Sequence, residues 1–194
     1  MIKNQQPRAR RNLLPLYPVL LCLALTACHD EYFKHEIETQ AKPWTHTPSP
    51  GGGDQFTFAI IGDLNSGQRA GVFEIAAQQL SLLKPKFILS IGDLVVGGTQ
   101  DSAEWATFYD EFDTRMARAG APFFHVGGNH DLTSPRTRSL WEQRYGRTYY
   151  HFIYENILFL VIDSEDYNEK RFTEIFHARN RALALLDSGK IAQA

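Results

Sequence analysis

Ala121-Pro122-Phe123-Phe124-His125-Val126-Gly127-Gly128-Asn129-His130-Asp131 is an apolar run that stops abruptly in a glycine-rich turn. The run reads as a strand. The turn sets an amide, an imidazole and a carboxylate side by side, at the strand-end position where α/β folds place their chemistry. Two earlier stretches have the same shape. Phe56-Thr57-Phe58-Ala59-Ile60-Ile61 ends in Gly62-Asp63, and Phe87-Ile88-Leu89-Ser90-Ile91 ends in Gly92-Asp93. Short, nearly continuous apolar runs suit strands covered on both faces. Helical patterns separate them. Phe73, Ala76, Leu80 and Leu83 share one helix face, and Lys84-Pro85 stops that helix. Asp101, with Glu104 three residues later, starts a second helix with a stripe of Trp105, Phe108, Phe112 and Met116. Strand–helix–strand–helix–strand predicts an α/β fold around a parallel sheet with right-handed crossovers.

In such a sheet the C-terminal strand ends share one edge. Asp63 with Asn65, then Asp93, then Asn129 with His130 and Asp131 therefore converge. Carboxylate and amide oxygens are ligands for divalent ions. A carboxylate can bridge two ions about 3.5–4 Å apart, an arrangement that clamps an in-line displacement at phosphorus. The competing reading makes Asp63 and Asp93 turn residues that cap the following helices, with His130 satisfied locally.

Ile61-Gly62-Asp63, Ile91-Gly92-Asp93 and Gly128-Asn129-His130-Asp131, in this order, resemble the calcineurin-like metallophosphoesterases, which include purple acid phosphatases and class III cyclic-nucleotide phosphodiesterases. The intervals are 30 residues from Asp63 to Asp93 and 36 from Asp93 to Asn129. The resemblance implies a four-layer α/β sandwich of two sheets, of which this chain supplies the N-terminal half and mainly the first sheet. It implies a phosphomonoesterase or phosphodiesterase using two divalent ions and a bridging hydroxide. Asp63 would bind the first ion, Asp93 both, and Asn129 the second. His130 would reach the phosphate or protonate the leaving group, and Asp131 would hold His130 in its useful tautomer. Asn65 stands where the family usually has His or Gly, so it is open between ligand and turn residue. The family also uses later histidines, one at a strand end and then a Gly-His-x-His turn, which this sequence lacks. The domain is therefore expected to be C-terminally incomplete, with apolar surface meant for the second sheet left uncovered.

Beyond the turn, Arg138 to Tyr145 forms a short helix pattern closed by Gly146. Tyr149–Tyr154 and Ile157–Ile162 read as a hairpin around Glu155-Asn156, with Asp163 directly after it. Glu169 to Leu186 is a last helix, with Phe172, Ile175, Phe176, Leu183 and Leu186 on one side and Gly189 ending it.

The start of the chain has a different character. Lys3, Arg8, Arg10 and Arg11 precede an apolar segment, Leu13 to Leu25, broken by Pro15 and Pro18. That reads as a secretory signal over residues 1–27. Leu25-Thr26-Ala27-Cys28 resembles the lipobox of bacterial lipoproteins, which implies lipid on Cys28 and anchorage to a membrane of the cell envelope. Arg10-Arg11 also looks like part of a twin-arginine export signal. Without residues 1–27, 16 basic residues face 22 acidic ones, a balance of −6 with no basic surplus for nucleic acid. Cys22 leaves with the signal and Cys28 goes to lipid, so no thiolate remains for a metal. Asp, Asn, His and Glu ligands favour Mn, Fe or Zn. Residues 28–55, with Pro48-Ser49-Pro50-Gly51-Gly52-Gly53, read as a flexible tether carrying solvated His29, His35 and His46. The alternative to an enzyme is a non-catalytic lipoprotein with a partial metal site. Nucleotide binding lacks its signature, since no glycine-rich phosphate loop follows the first strand.

Overall fold

The computed structural model describes residues 32–53, 55–65 and 67–189. The expected signal segment, Cys28 and His29 lie outside the described residues. Among the described residues no helix is long and apolar enough to cross a membrane.

The described chain opens with strand β1 (Phe33–His35). It continues through β2 (Ala59–Ile61), helix α1 (Val72–Leu83), β3 (Ile88–Ser90) and helix α2 (Ser102–Met116). A 3₁₀ turn at Ala117–Ala119 leads into β4 (Phe123–Phe124). Helix α3 (Pro135–Tyr145), strands β5 (Tyr150–Tyr154) and β6 (Ile157–Val161), and helix α4 (Glu169–Asp187) follow.

β2, β3 and β4 form a parallel sheet in that order, pairing Ala59 with Ile88 and Ile88 with Phe123. Successive side chains of a strand take opposite faces. Ile88 and Phe123 accordingly join a helix-side core with Phe73 and Ala77 of α1, Trp105, Tyr109 and Phe112 of α2, and Trp141 of α3. Phe87 and Phe124 join a second core with Phe33, Trp44, Phe152 and Tyr154. That second core lies against an antiparallel sheet ordered β1-β5-β6. The layers are thus helices, parallel sheet, aromatic core and antiparallel sheet.

The hairpin forms as expected, with Glu155 at φ 47° and Asn156 at φ 65°. Two successive left-handed residues are what a tight two-residue hairpin turn requires. Asp101 caps α2, accepting from the amides of Ala103 and Glu104 at 2.7 and 3.0 Å. The buried stripe of α2 is Trp105, Tyr109, Phe112 and Met116, with Phe108 only half-buried beside it. A 4-3-4 spacing follows the helical turn more closely than one through Phe108. On α1 the buried residues are Phe73 and Ala77, while Leu83 is 72% exposed because it stands at the helix end. On α4, Phe172 is buried and Leu183 and Leu186 are exposed.

The tether reading is corrected between residues 32 and 53. β1 pairs with β5, matching Phe33 to Tyr154 and His35 to Phe152. The next segment borders β4: the His125 amide donates to Pro43 O at 2.7 Å and the Thr45 amide to Phe123 O at 3.0 Å. Tyr154 Oη donates to Ser49 O at 2.7 Å. Phe33, Ile37 and Trp44 are buried. No period reveals them, because three apolar residues spread over a mostly charged and polar stretch show no repeat. His35 is correspondingly no solvated tether residue, since its ring lies 4.7 Å from that of Trp44. The expectation that the chain supplies mainly the first sheet is likewise corrected, because three strands of the second are present.

Exposed apolar side chains include Leu158 and Leu160 of the edge strand β6 and Ile162 just after it, at 60, 68 and 73%.

Candidate functional site

β2 and β3 both lead into a Gly-Asp, and the backbone continues to pair past both strands. The Ile91 amide donates to Ile61 O at 2.9 Å, the Asp63 amide to Gly92 O at 3.2 Å, and the Leu64 amide to Asp93 O at 2.8 Å. Asp63 and Asp93 each adopt the left-handed conformation at φ 57°. Two non-glycine residues held there at matching strand ends carry local strain of the kind that collects at functional sites. The matching turns bring the two aspartates into adjacent loops.

The turn after β4 closes on Asp93. Its carboxylate accepts from the His130 amide through Oδ1 at 2.9 Å and from Asn65 Nδ2 through Oδ2 at 3.0 Å. Gly92 and Gly128 make the approach possible. A side chain on Gly92, at φ 98°, would stand 2.7 Å from Gly128 Cα, and one on Gly128 would collide with the Asp93 carboxylate. Asn65, open from sequence between ligand and turn residue, is thus an amide donor to Asp93.

His130 Nδ1 lies 2.8 Å from the carbonyl of Val96. A carbonyl only accepts, so Nδ1 carries the proton and Nε2 holds the lone pair of the neutral ring. Asp131 was expected to fix this tautomer, and the structure corrects that. Its carboxylate, 1% exposed, turns inward and accepts from the amides of Asp93 at 2.6 Å, Gly128 at 2.8 Å and Leu94 at 3.2 Å. It also accepts from Tyr109 Oη at 2.6 Å. Burial pushes Asp131 up to about 6, against these donors, which favour the charged form. Burial and the adjoining carboxylate push the Tyr109 phenol well above its ordinary value, so it stays a donor. The reason for the difference is local. Asp131 lies within reach of three loop amides that have no strand partner, and buried donors take the nearest acceptor.

Asn129 is exposed and borders a recess of about 90 Å³ that Leu132, Tyr167, Phe172 and Phe176 help to line. The segment before α4 is held by Arg138, which donates to Asp163 Oδ2 and to Glu165 O, each at 2.7 Å, and lies 5.7 Å from the Phe172 ring of α4. Among the described residues neither His125 nor His177 bonds to the turn. His125 is buried with Nε2 3.3 Å from Asp113 Oδ1, and His177 is exposed on α4. Among the described residues no group of three or more His, Cys, Asp or Glu side chains could hold a metal ion. Asp63 and Asp93 lie in adjacent loops beside the turn that carries Asn129, and all three offer oxygen atoms, a donor type that suits hard divalent cations. Sequence reading missed Val96, a backbone contact without side-chain signature, and Tyr109, because the expected α2 stripe ran through Phe108 instead.

The sequence matches the calcineurin-like phosphoesterase family over residues 56–187. Among curated proteins it is similar to the serine/threonine-protein phosphatase CPPED1 of Homo sapiens, 30% identical over 134 residues, which are 65% of this chain and 39% of that protein. The Mus musculus protein of the same name is 30% identical over 145 residues, 69% of this chain and 43% of that one. The chain thus spans about two fifths of the relatives it matches. No solved structure matched. With three motifs on adjacent strand ends and a family match across most of the folded residues, the chain belongs to the calcineurin-like phosphoesterases.

Proposed function

We propose that this chain carries the first part of a two-metal site that hydrolyses a phosphoester, with a phosphomonoester favoured by the phosphatase relatives. One observation carries the reading: the Asp63 and Asp93 turns lie side by side in matching left-handed conformations, with the His130 amide closed onto Asp93. Asp63 would hold one ion, Asp93 both and Asn129 the second, with manganese, iron or zinc fitting the oxygen donors. When bound, the ions supply positive charge that stabilises an in-line displacement at phosphorus. Asn65 orients Asp93. His130, its Nδ1 proton held by Val96 O, exchanges a proton with substrate at Nε2. Asp131 acts through the loops rather than on the His130 ring.

The test is Mn²⁺-dependent hydrolysis of p-nitrophenyl phosphate and its bis ester, by this chain and by a C-terminally extended form. Activity is expected in the extended form and its loss in Asp93→Ala. Activity insensitive to Asp93→Ala in both forms would end the enzyme reading. A second reading, a non-catalytic lipoprotein, is favoured by the thin donor set among the described residues.

We also infer anchorage to a bacterial envelope membrane through lipid on Cys28, from its lipobox-like context. Cys28→Ala is expected to move the protein from the membrane fraction to the soluble one. Retention at the membrane would refute the anchor.

A further inference from the structure

We propose that Tyr109 is a positioning residue for the metal-binding strand ends, acting through Asp131 to hold the Asp93 and Asn129 loops at a fixed separation. The inference rests on the metal reading above, but the clamp itself is visible in the hydrogen bonds. Among the described residues Asp131 is the only side chain that bonds to amides of both loops: Asp93 and Leu94 after β3, and Gly128 after β4. These are the residues beside, or identical with, Asp93 and Asn129. Two loops joined through one carboxylate keep their spacing only if that carboxylate is itself fixed.

Tyr109 fixes it. The phenol donates to Asp131 Oδ1 at 2.6 Å, and the ring is fully buried. Its rotation is blocked by Trp105 at 4.2 Å, Tyr145 at 5.6 Å and Trp141 at 5.8 Å between ring centroids. α2 is anchored at its start by the Asp101 cap and along its face by the helix-side core. The strand ends are therefore tied to a rigid helix and not only to each other. Groups that orient ligands from behind typically change metal affinity about 10–100-fold when removed. Phenylalanine keeps the ring and its packing and deletes only the donor, leaving one carboxylate oxygen without its helix partner.

Tyr145→Phe is the control. Tyr145 belongs to the same aromatic cluster and is also buried, yet its hydroxyl bonds to Asp113 Oδ2 at 2.9 Å and not to Asp131. Both variants lose one buried phenol, so a merely structural role would affect them alike.

The experiment measures two things on the whole chain: residue-resolved amide exchange, and Mn²⁺ affinity. In Tyr109→Phe the amides of Asp93, Leu94 and Gly128 are expected to exchange roughly tenfold faster than in wild type, and the Mn²⁺ Kd to rise about tenfold. In Tyr145→Phe neither should move beyond the general change in stability. Equal exchange of these three amides in the two variants would overturn the clamp, as would unaltered Mn²⁺ affinity in Tyr109→Phe beside a wild type that binds. A wild type that binds no Mn²⁺ would overturn the metal reading and with it the positioning role, while the exchange comparison still decides whether the clamp exists.

Discussion

Phe87→Ala is expected to cost the chain about 4 kcal/mol of unfolding free energy. Phe87 is fully buried and stands immediately before β3, where the parallel sheet faces the antiparallel one. Its ring centroid lies 5.2 Å from Phe58, 5.2 Å from Phe124, 5.3 Å from Tyr154, 5.7 Å from Phe152 and 5.2 Å from Phe159. Deleting it removes the side chain those five rings share, and rings fixed on two sheets cannot close inward to fill the space. A loss of that size is a large share of the roughly 5–15 kcal/mol that holds a domain together. Urea unfolding followed by tryptophan fluorescence measures it. A loss under about 1.5 kcal/mol would mean that the sheets do not pack through this ring.

Arg138→Ala is expected to cost roughly 3 kcal/mol at pH 7. The Asp163 side chain is 1% exposed and its Oδ2 is 2.7 Å from Arg138 Nη1, which itself is partly exposed. Removing the arginine leaves a buried carboxylate without its charge partner. It also frees Glu165 O and takes the guanidinium off the Phe172 ring, 5.7 Å away, so α4 loosens as well. Burial works to raise the Asp163 pKa, but bonds with Arg138 and Thr148 prevail and hold it below the usual carboxylate value. A depressed carboxyl stabilises above its unfolded pKa, and that contribution is lost as pH falls through the folded value. In the variant Thr148 and the Glu165 amide still oppose burial, but the charged partner is gone and the Asp163 pKa rises. The stabilisation that the wild type has above the unfolded pKa is then reduced, and the difference fades as the carboxyl protonates towards pH about 4. The gap between wild type and variant should therefore narrow in acid. Urea unfolding at pH 7 and pH 4 tests this, and a gap unchanged between them would show that the pair is not what Arg138 contributes.

The parallel half of the fold was legible because β3 and β4 are covered on both faces. Continuous runs such as Phe87 to Ile91 and Phe123 to Val126 leave few alternatives, and the Gly-Asp and Gly-Gly-Asn endings mark where each run stops. The second sheet was legible only at its hairpin, where Glu155-Asn156 sets a tight turn. β1 was not legible, since three residues cannot display a period and their pairing partner lies over a hundred positions away. At the site, the placing of Asp63, Asp93 and Asn129 in neighbouring strand-end loops follows from topology. The fine direction of each side chain does not. Sequence adjacency paired Asp131 with His130, whereas in the fold Asp131 meets loop amides and Tyr109, and His130 meets Val96 O. Hydrogen bonds to backbone atoms leave no residue-type signature, so these partners emerge only in three dimensions.

The central claim is that the ends of β2, β3 and β4 together form a divalent-metal site. Equilibrium Mn²⁺ binding to the wild-type chain and to Asp93→Ala, followed by electron paramagnetic resonance of the free ion, tests it most directly. Asp93 joins the two loops and supplies the proposed shared ligand, so its removal should weaken binding at least about 100-fold while the helix-side core stays folded. Equal Mn²⁺ binding by the two proteins, or none by either, would contradict the account.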